Sequence, residues 1–446
     1  MKLKVENFGK IKSACIELNG YSIFVGDNNS GKTYLMQLIY GVIEAVGNIR
    51  GFECSLFENI PFRVTSDNLK VFQDSVNKWL EENKGRIVKD TFNSEISIGS
   101  LSLEIEQEDV EKDYVELKKI TSSEIETSKK KVQYTHSAEI DKSKDFFFCL
   151  ETRDSIFVIE NGHDRSLTFW RDFFVGILLE SFLFDFGSKS LFIPASRTGF
   201  NLVYRDLFAA MAKSSEYNLG ISTFQLPESK KMGLTKPVFD YLLFMQTYKP
   251  DEELYKKNKD IIDFIEKNII KGKIIRNGDE IRYISNDGVS LPLFLSSSMI
   301  NELTPVVHLL SSVNRVGRIL YDEIETSQHP TTQIQLARLM NRLVNSGVNL
   351  VVSTHSDTMA AAISNLVALS FAKDKENKYK LLGFEKEDLL EKDLVHAYQF
   401  IKGDDGMSGV SEVEKFNELG MGFDFSLFSA ASEKIFKASK VIYGDA

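Results

Sequence analysis

The sequence predicts an α/β fold with a mixed central sheet, a β-rich insertion and a helical lobe, and three observations predict it. A glycine-rich turn separates a short apolar strand pattern at 21–25 from an amphipathic helix pattern that follows it. Two more apolar strand patterns, 318–321 and 350–354, end abruptly in polar residues and are separated by a helical pattern, as strands of a buried sheet are. Between 95 and 165, apolar residues alternate as they do along half-buried strands.

The chain opens with Leu3, Val5, Ile11, Ala14, Ile16 and Leu18 around Asn7-Phe8-Gly9-Lys10, which predicts two strands joined by a turn. Tyr21 to Val25 is the next strand. The turn after it, Gly26-Asp27-Asn28-Asn29-Ser30-Gly31-Lys32-Thr33, reads G-x-x-x-x-G-K-T, and the helix behind it carries Leu35, Met36, Ile39, Val42, Ile43 and Val46 on one side. A strand, this turn and a helix form a phosphate-binding loop. Gly26 and Gly31 let the backbone close around an anion, and the helix N-terminus adds partial positive charge. Lys32 is expected on the β- and γ-phosphates of ATP, and the Thr33 hydroxyl on Mg2+.

Residues 51–93 read as helical, with Leu69, Val71, Phe72, Val76 and Leu80 on one face. The alternating stretch then makes 51–165 an insertion, helix first and β-rich after. Within it, 109–145 is crowded with charges of both signs, including Lys129 to Lys131, and reads as a solvated surface. Residues 167–186 read as a helix, 190–193 as a strand ending at Pro194-Ala195-Ser196-Arg197, and 200–271 as helices broken near Gly220, Pro227 and Pro237. Lys273 to Pro292 reads as a hairpin turning at Asn277-Gly278-Asp279.

Arg318 to Glu323 is an apolar strand closed by two carboxylates. Asp322 is expected to hold the magnesium shell and Glu323 to polarise the water that attacks the γ-phosphate. A helix from about Thr331 to Asn345, with Ile334, Ala337, Met340 and Val344 inward, is stopped by Gly347. The strand Leu350 to Thr354 ends on His355, placed to hydrogen-bond the γ-phosphate. The remaining chain, 376–446, reads as helix and strand over 381–402 and as helix over 410–442, completing the unit or offering a partner surface.

Composition narrows the class. A 446-residue chain with 43% hydrophobic residues can bury a large core, and a formal net charge of −10 speaks against general affinity for DNA phosphate. Cys15, Cys54 and Cys149 have neither metal-like nor paired spacing, which suits a reducing compartment. The apolar run Phe173 to Phe186 is interrupted by Glu180 and Asp185 and is too short to span a bilayer, and no signal-peptide pattern opens the chain, so a cytoplasmic location is expected. No heptad pattern is sustained.

Together, Gly26 to Thr33, Leu320 to Glu325 with His329-Pro330, Ser353-Thr354-His355-Ser356 and the opening Lys4 to Ile11 resemble the ABC-type ATPases related to OLD and RecF/SMC proteins. That resemblance implies a single ABC-type P-loop ATPase head over 1–446. It also implies a signature at a helix start that reaches the γ-phosphate of a partner subunit. Leu295-Ser296-Ser297-Ser298-Met299 stands at that place, with serines where transporters have glycines, followed by a helix carrying Ile300, Leu303, Val307 and Leu310. Residues 200–292 would be the helical lobe and hairpin leading to it. Arg197 also matches a family element; it reads equally as a group that neutralises phosphate or couples the lobe to nucleotide, and as a structural ion pair.

The resemblance further implies a homodimer or higher homo-oligomer with ATP at its interfaces, and a conformational switch released by hydrolysis. By analogy with the ATPase subunits of PARIS and Septu anti-phage systems, the expected partner is a nuclease or toxin effector in trans. Two other functions are open: a RecF-like clamp on duplex DNA, signalled by clustered basic residues such as Lys129 to Lys131 with Lys230, Lys231 and Lys236, and a nucleotide-gated scaffold with little turnover.

Overall fold

The computed structural model describes residues 1–57, 61–112, 115–134, 147–152, 155–161, 167–182, 189–218, 233–277, 280–313, 315–390, 394–414, 422–423, 425, 434 and 436–442. The expected breaks at Gly220 and Pro227, the turn residues Gly278 and Asp279, Lys230, Lys231 and most of 415–442 lie outside them.

The strands are β1 (Lys2–Phe8), β2 (Ile11–Glu17), β3 (Tyr21–Gly26), β4 (Phe62–Arg63), β5 (Ser100–Glu104), β6 (Glu116–Ile120), β7 (Lys131–Tyr134), β8 (Phe147–Glu151), β9 (Ser155–Asn161), β10 (Lys189–Ile193), β11 (Gly272–Asn277), β12 (Glu280–Ser285), β13 (Ser290–Pro292), β14 (Val316–Tyr321), β15 (Asn349–Thr354), β16 (Val395–Lys402) and β17 (Ser408–Glu412). Nine form one sheet in the order β10-β14-β15-β3-β16-β17-β2-β1-β5. From β10 to β16 neighbours run parallel, and β16–β17, β2–β1 and β1–β5 are antiparallel, so the sheet is mixed.

Alternation along the parallel strands divides the core in two. Phe24, Leu320 and Val351 point to one face, where they meet the helix Lys32–Gly47 and the helix Leu69–Phe92. Ile23, Val25, Ile319, Tyr321 and Val352 point to the other, against the helices Ser298–Leu310, Pro330–Asn345 and Asp357–Phe371. Both faces are covered, as a parallel run with apolar residues in both phases requires. On the first face small residues set the spacing. A Cβ on Gly41 would overlap Thr91, one on Gly47 would overlap Glu180, and one on Gly176 would lie 2.7 Å from the Gly47 carbonyl. The helices Leu69–Phe92 and Leu167–Ser181 therefore press directly on the backbone of Lys32–Gly47.

Several elements depart from the sequence expectation. β5 pairs with β1 at the edge of the central sheet instead of lying in the insertion, and Ile96 and Ile98 precede it outside any strand. The insertion builds its own sheet, β4-β6-β8-β9-β7, and part of the charged 109–145 stretch is structural: Leu117 and Ile120 are buried in it. Val71 and Ile334, expected inward, are 43% and 37% exposed. The hairpin acquires a third strand, β13. The C-terminal stretch contributes β16 and β17 to the central sheet, so residues from Val410 begin as strand and not as helix. Among the described residues no helix is long and apolar enough to cross a membrane.

Burial beside Glu44 pushes the Glu180 carboxyl up from 4.5 to about 7. A carboxyl whose folded value lies above its unfolded one costs stability that grows as pH rises from about 4.5 to about 7 and is constant above. Glu180→Gln should therefore leave the melting temperature unchanged near pH 4.5. At pH 8 it should stabilise the protein by on the order of 1–2 kcal/mol, allowing for screening at this half-buried site. Thermal denaturation of both proteins at the two pH values measures this.

Candidate functional site

The glycine-rich turn leaves the C-terminal end of β3 and enters the helix Lys32–Gly47. Gly26 has φ +153° and Gly31 φ +99°, and a Cβ on Gly26 would stand 2.8 Å from both Cβ and the carbonyl oxygen of Phe400 on the adjoining β16. Asn29 supplies the third left-handed position, at φ +61°. Its side-chain carbonyl accepts from Lys10 Nζ at 2.8 Å, which ties the β1–β2 turn to the loop. Asp27, Asn28 and Asn29 are exposed and Ser30 is buried.

Lys32 is folded back over this loop. Its Nζ donates to the carbonyls of Gly26 and Asp27, both at 2.9 Å, and to Ser30 Oγ at 3.3 Å. Burial lowers its pKa to about 8, against the pull of the carboxylates Asp322 and Glu323. A buried ammonium held only by neutral oxygens gains from a closely placed anion.

The acidic half is built from two neighbouring strand ends. Asp322 follows β14 and is 3% exposed. Thr33 Oγ1 donates to its Oδ2 at 2.8 Å, and Ser353 Oγ, on β15, to its Oδ1 at 2.6 Å. Burial raises the Asp322 pKa against those two hydrogen bonds. A desolvated carboxylate facing a hydroxyl is an oxygen donor set of the kind that Mg2+ takes, and it fits that ion.

Glu323 comes next at φ +47°, a conformation that disfavours a residue with Cβ by roughly 1 kcal/mol or more. Its N–H donates to Ser353 Oγ at 2.8 Å. The carboxylate remains accessible, with Oε1 3.8 Å from His355 Nε2 and Oε2 accepting from Thr326 Oγ1 at 3.4 Å. Burial, followed by the Lys32 charge, lowers the His355 pKa below 6.5, so the imidazole is neutral near pH 7 and can donate from one nitrogen. The His355 N–H donates to Glu325 Oε1 at 2.6 Å, which fixes the start of the segment after β15.

Lys32, Thr33, Asp322, Glu323 and His355 thus converge at the ends of three adjacent parallel strands. Ser296, Ser297 and Ser298 do not join them in the same chain: among the described residues none is hydrogen-bonded to the loop. Ser296 Oγ donates to Pro292 O at 3.2 Å, and Ser297 and Ser298 are exposed at the start of their helix. Phe294 and Leu295 beside them are 64% and 62% exposed.

Arg197, open on sequence to a phosphate contact, to coupling the lobe to nucleotide and to a structural ion pair alike, forms a buried ion pair. Its side chain is fully buried and paired with Glu302, while Nη1 donates to Pro194 O at 3.1 Å and Asp322 O at 2.9 Å and Nη2 to Glu323 O at 3.1 Å. These contacts lie beneath the acidic turn. Ser353, Glu325 and Glu302 received no role from the sequence. A serine inside an otherwise apolar strand was the available signal for Ser353; Glu302 looks like an ordinary helix residue until its burial is known.

A family model described as AAA ATPase domain matches residues 244–360, a stretch that contains Ser296–Ser298, Asp322, Glu323 and His355 but not the glycine-rich loop. No curated protein matches the sequence. Among solved structures, an SMC head bound to the C-winged helix domain of ScpA aligns over 93% of this chain and 97% of its own at 13% identity, with a TM-score of 0.37. The SMC head domain from Thermotoga maritima aligns over 93% and 98% at 11% identity, with a TM-score of 0.36.

Gly26→Ala tests the loop's dependence on β16. The added methyl has to displace Phe400 or the strand backbone, and the variant should lose about 1–3 kcal/mol of stability in thermal or urea denaturation. Binding of a fluorescent ATP analogue should fall at least tenfold.

Proposed function

We propose that this protein is an ATP-binding and ATP-hydrolysing molecular switch of ABC type. The observation that carries the reading is the buried Asp322 carboxylate, which accepts from Thr33 of the glycine-rich loop and from Ser353 while Glu323 and His355 stand beside it. The loop's N–H groups and Lys32 would bind the phosphates, with Lys32 exchanging the carbonyls of Gly26 and Asp27 for phosphate oxygens. Thr33 and Asp322 would hold Mg2+, which when bound neutralises charge on the phosphate oxygens. Glu323 would accept the proton of the attacking water, and neutral His355 would donate to the γ-phosphate.

Because Ser296–Ser298 open outward, the reading places them on the nucleotide of a second copy, with the exposed Phe294 and Leu295 covered in the contact. ATP would join two copies and hydrolysis release them. As the biological setting we propose a sensor ATPase of a bacterial anti-phage system acting on a nuclease or toxin in trans, which the motif resemblance supports. For the DNA clamp, two of the basic residues that would signal it are engaged within the chain: Lys130 with Glu151 at 2.7 Å, and Lys236 with Asp240 at 2.5 Å.

ATP turnover of the wild type against Glu323→Gln tests the reading. The substitution should lower kcat at least a hundredfold and leave binding of a fluorescent ATP analogue within about threefold. Turnover that survives it would remove Glu323 as the base, and binding without turnover in the wild type would leave the scaffold. The Glu323→Gln protein should also associate into dimers on addition of Mg-ATP. Phe294→Ser with Leu295→Ser should abolish that association in sedimentation velocity.

A further inference from the structure

The serine-capped helix and the acidic turn are joined inside one chain by a continuous set of buried polar contacts. On the helix, Asn301 Nδ2 donates to the carbonyls of Leu293 at 3.1 Å, Ser296 at 3.4 Å and Ser297 at 3.3 Å, so this side chain shapes the loop that presents the serines. The Asn301 carbonyl accepts from Asn201 Nδ2 at 2.8 Å, and Asn201 Oδ1 accepts from Tyr241 OH at 2.6 Å, which anchors it to the helical lobe. The next residue, Glu302, is 1% exposed and pairs with Arg197 and Thr198.

From there the guanidinium completes the connection. Arg197 lies over the Tyr321 ring with its carbon 4.7 Å from the centroid, and the Tyr321 hydroxyl donates to Glu302 O at 3.2 Å. The same guanidinium donates to the carbonyls of Asp322 and Glu323. Both backbone polar groups of Glu323 are therefore fixed, its N–H on Ser353 and its carbonyl on Arg197, and this holds it in the left-handed conformation from which its carboxylate faces His355.

We propose that Arg197 is a positioning residue that couples the serine-capped helix to Glu323, so that what engages Ser296–Ser298 sets the aim of the hydrolytic carboxylate. This rests on the ATPase reading. A guanidinium suits the task because a planar fork can satisfy a carboxylate and several carbonyls at once; an ammonium in its place keeps the charge and loses the fork.

Two variants test it, Arg197→Lys and Glu302→Gln, the second retaining shape at the helix end of the pair. In each, binding of a fluorescent ATP analogue should stay within threefold and KM within threefold, while kcat falls 10- to 100-fold. Hydrogen exchange supplies a readout independent of turnover. In the wild type, Mg-ATP should slow exchange in segments 296–302 and 322–326 together; in either variant one segment should respond without the other. Variants with wild-type kcat, segments that still respond together, or a wild type in which neither responds would overturn the coupling. So would kcat and binding that fall in proportion, the mark of a purely structural pair. A wild type that binds no nucleotide overturns the ATPase reading itself, which the binding measurement identifies separately.

Discussion

The architecture depends on one buried carboxylate. Asp322 is taken out of water at the C-terminal end of the interior strand β14, and such a group is tolerated only where hydrogen bonds or charge replace its hydration. Thr33 and Ser353 supply the hydrogen bonds, one from the glycine-rich loop and one from β15. The loop, β14 and β15 must therefore arrive in one register for the acid to be satisfied. Lys32, Glu323 and His355 acquire their positions from that agreement, since each lies next in sequence to one of these groups or within two residues of it.

Beneath this acid the protein places a second buried charge, Arg197, neutralised by Glu302. An ion pair of this kind contributes little net stability when both desolvation and attraction are counted, but removing one partner is costly. Its value lies in geometry. The carbonyls of Asp322 and Glu323 are left without strand partners where the chain turns away, and the guanidinium satisfies both.

Local chemistry was the legible part of the sequence. Gly26, Gly31, Lys32 and Thr33 marked the turn from β3 into its helix by residue type and spacing, and the apolar runs ending in Asp322-Glu323 and His355 marked strand ends correctly. What pairs with what across the sheet was not legible. β5 reads like the strands that follow it, yet its partner is β1; nothing in Val395–Lys402 says that it lies beside β3. Helix faces were read well where packing is one-sided and less well at their borders, as the exposure of Val71 and Ile334 shows. Arg197 was ambiguous for a different reason: an arginine after a strand looks the same whether it points to solvent, to phosphate or, as here, into the interior, and only the position of Glu302 decides.

The position of β3 also bears on how the molecule is made. This strand is synthesised well before its neighbours in the sheet, β15 and β16, which lie far along the chain from it. During translation it has no partner on either side, and its apolar residues and backbone groups must wait in an incompletely folded chain. Pairings so distant in sequence also carry a large closure entropy and slow folding. A chain interrupted before residue 395 would leave β3 as an open sheet edge beside the glycine-rich loop, where a strand from another molecule could add. The loop thus cannot mature on its own: its final wall, Phe400, is delivered only after β14 and β15 have been made.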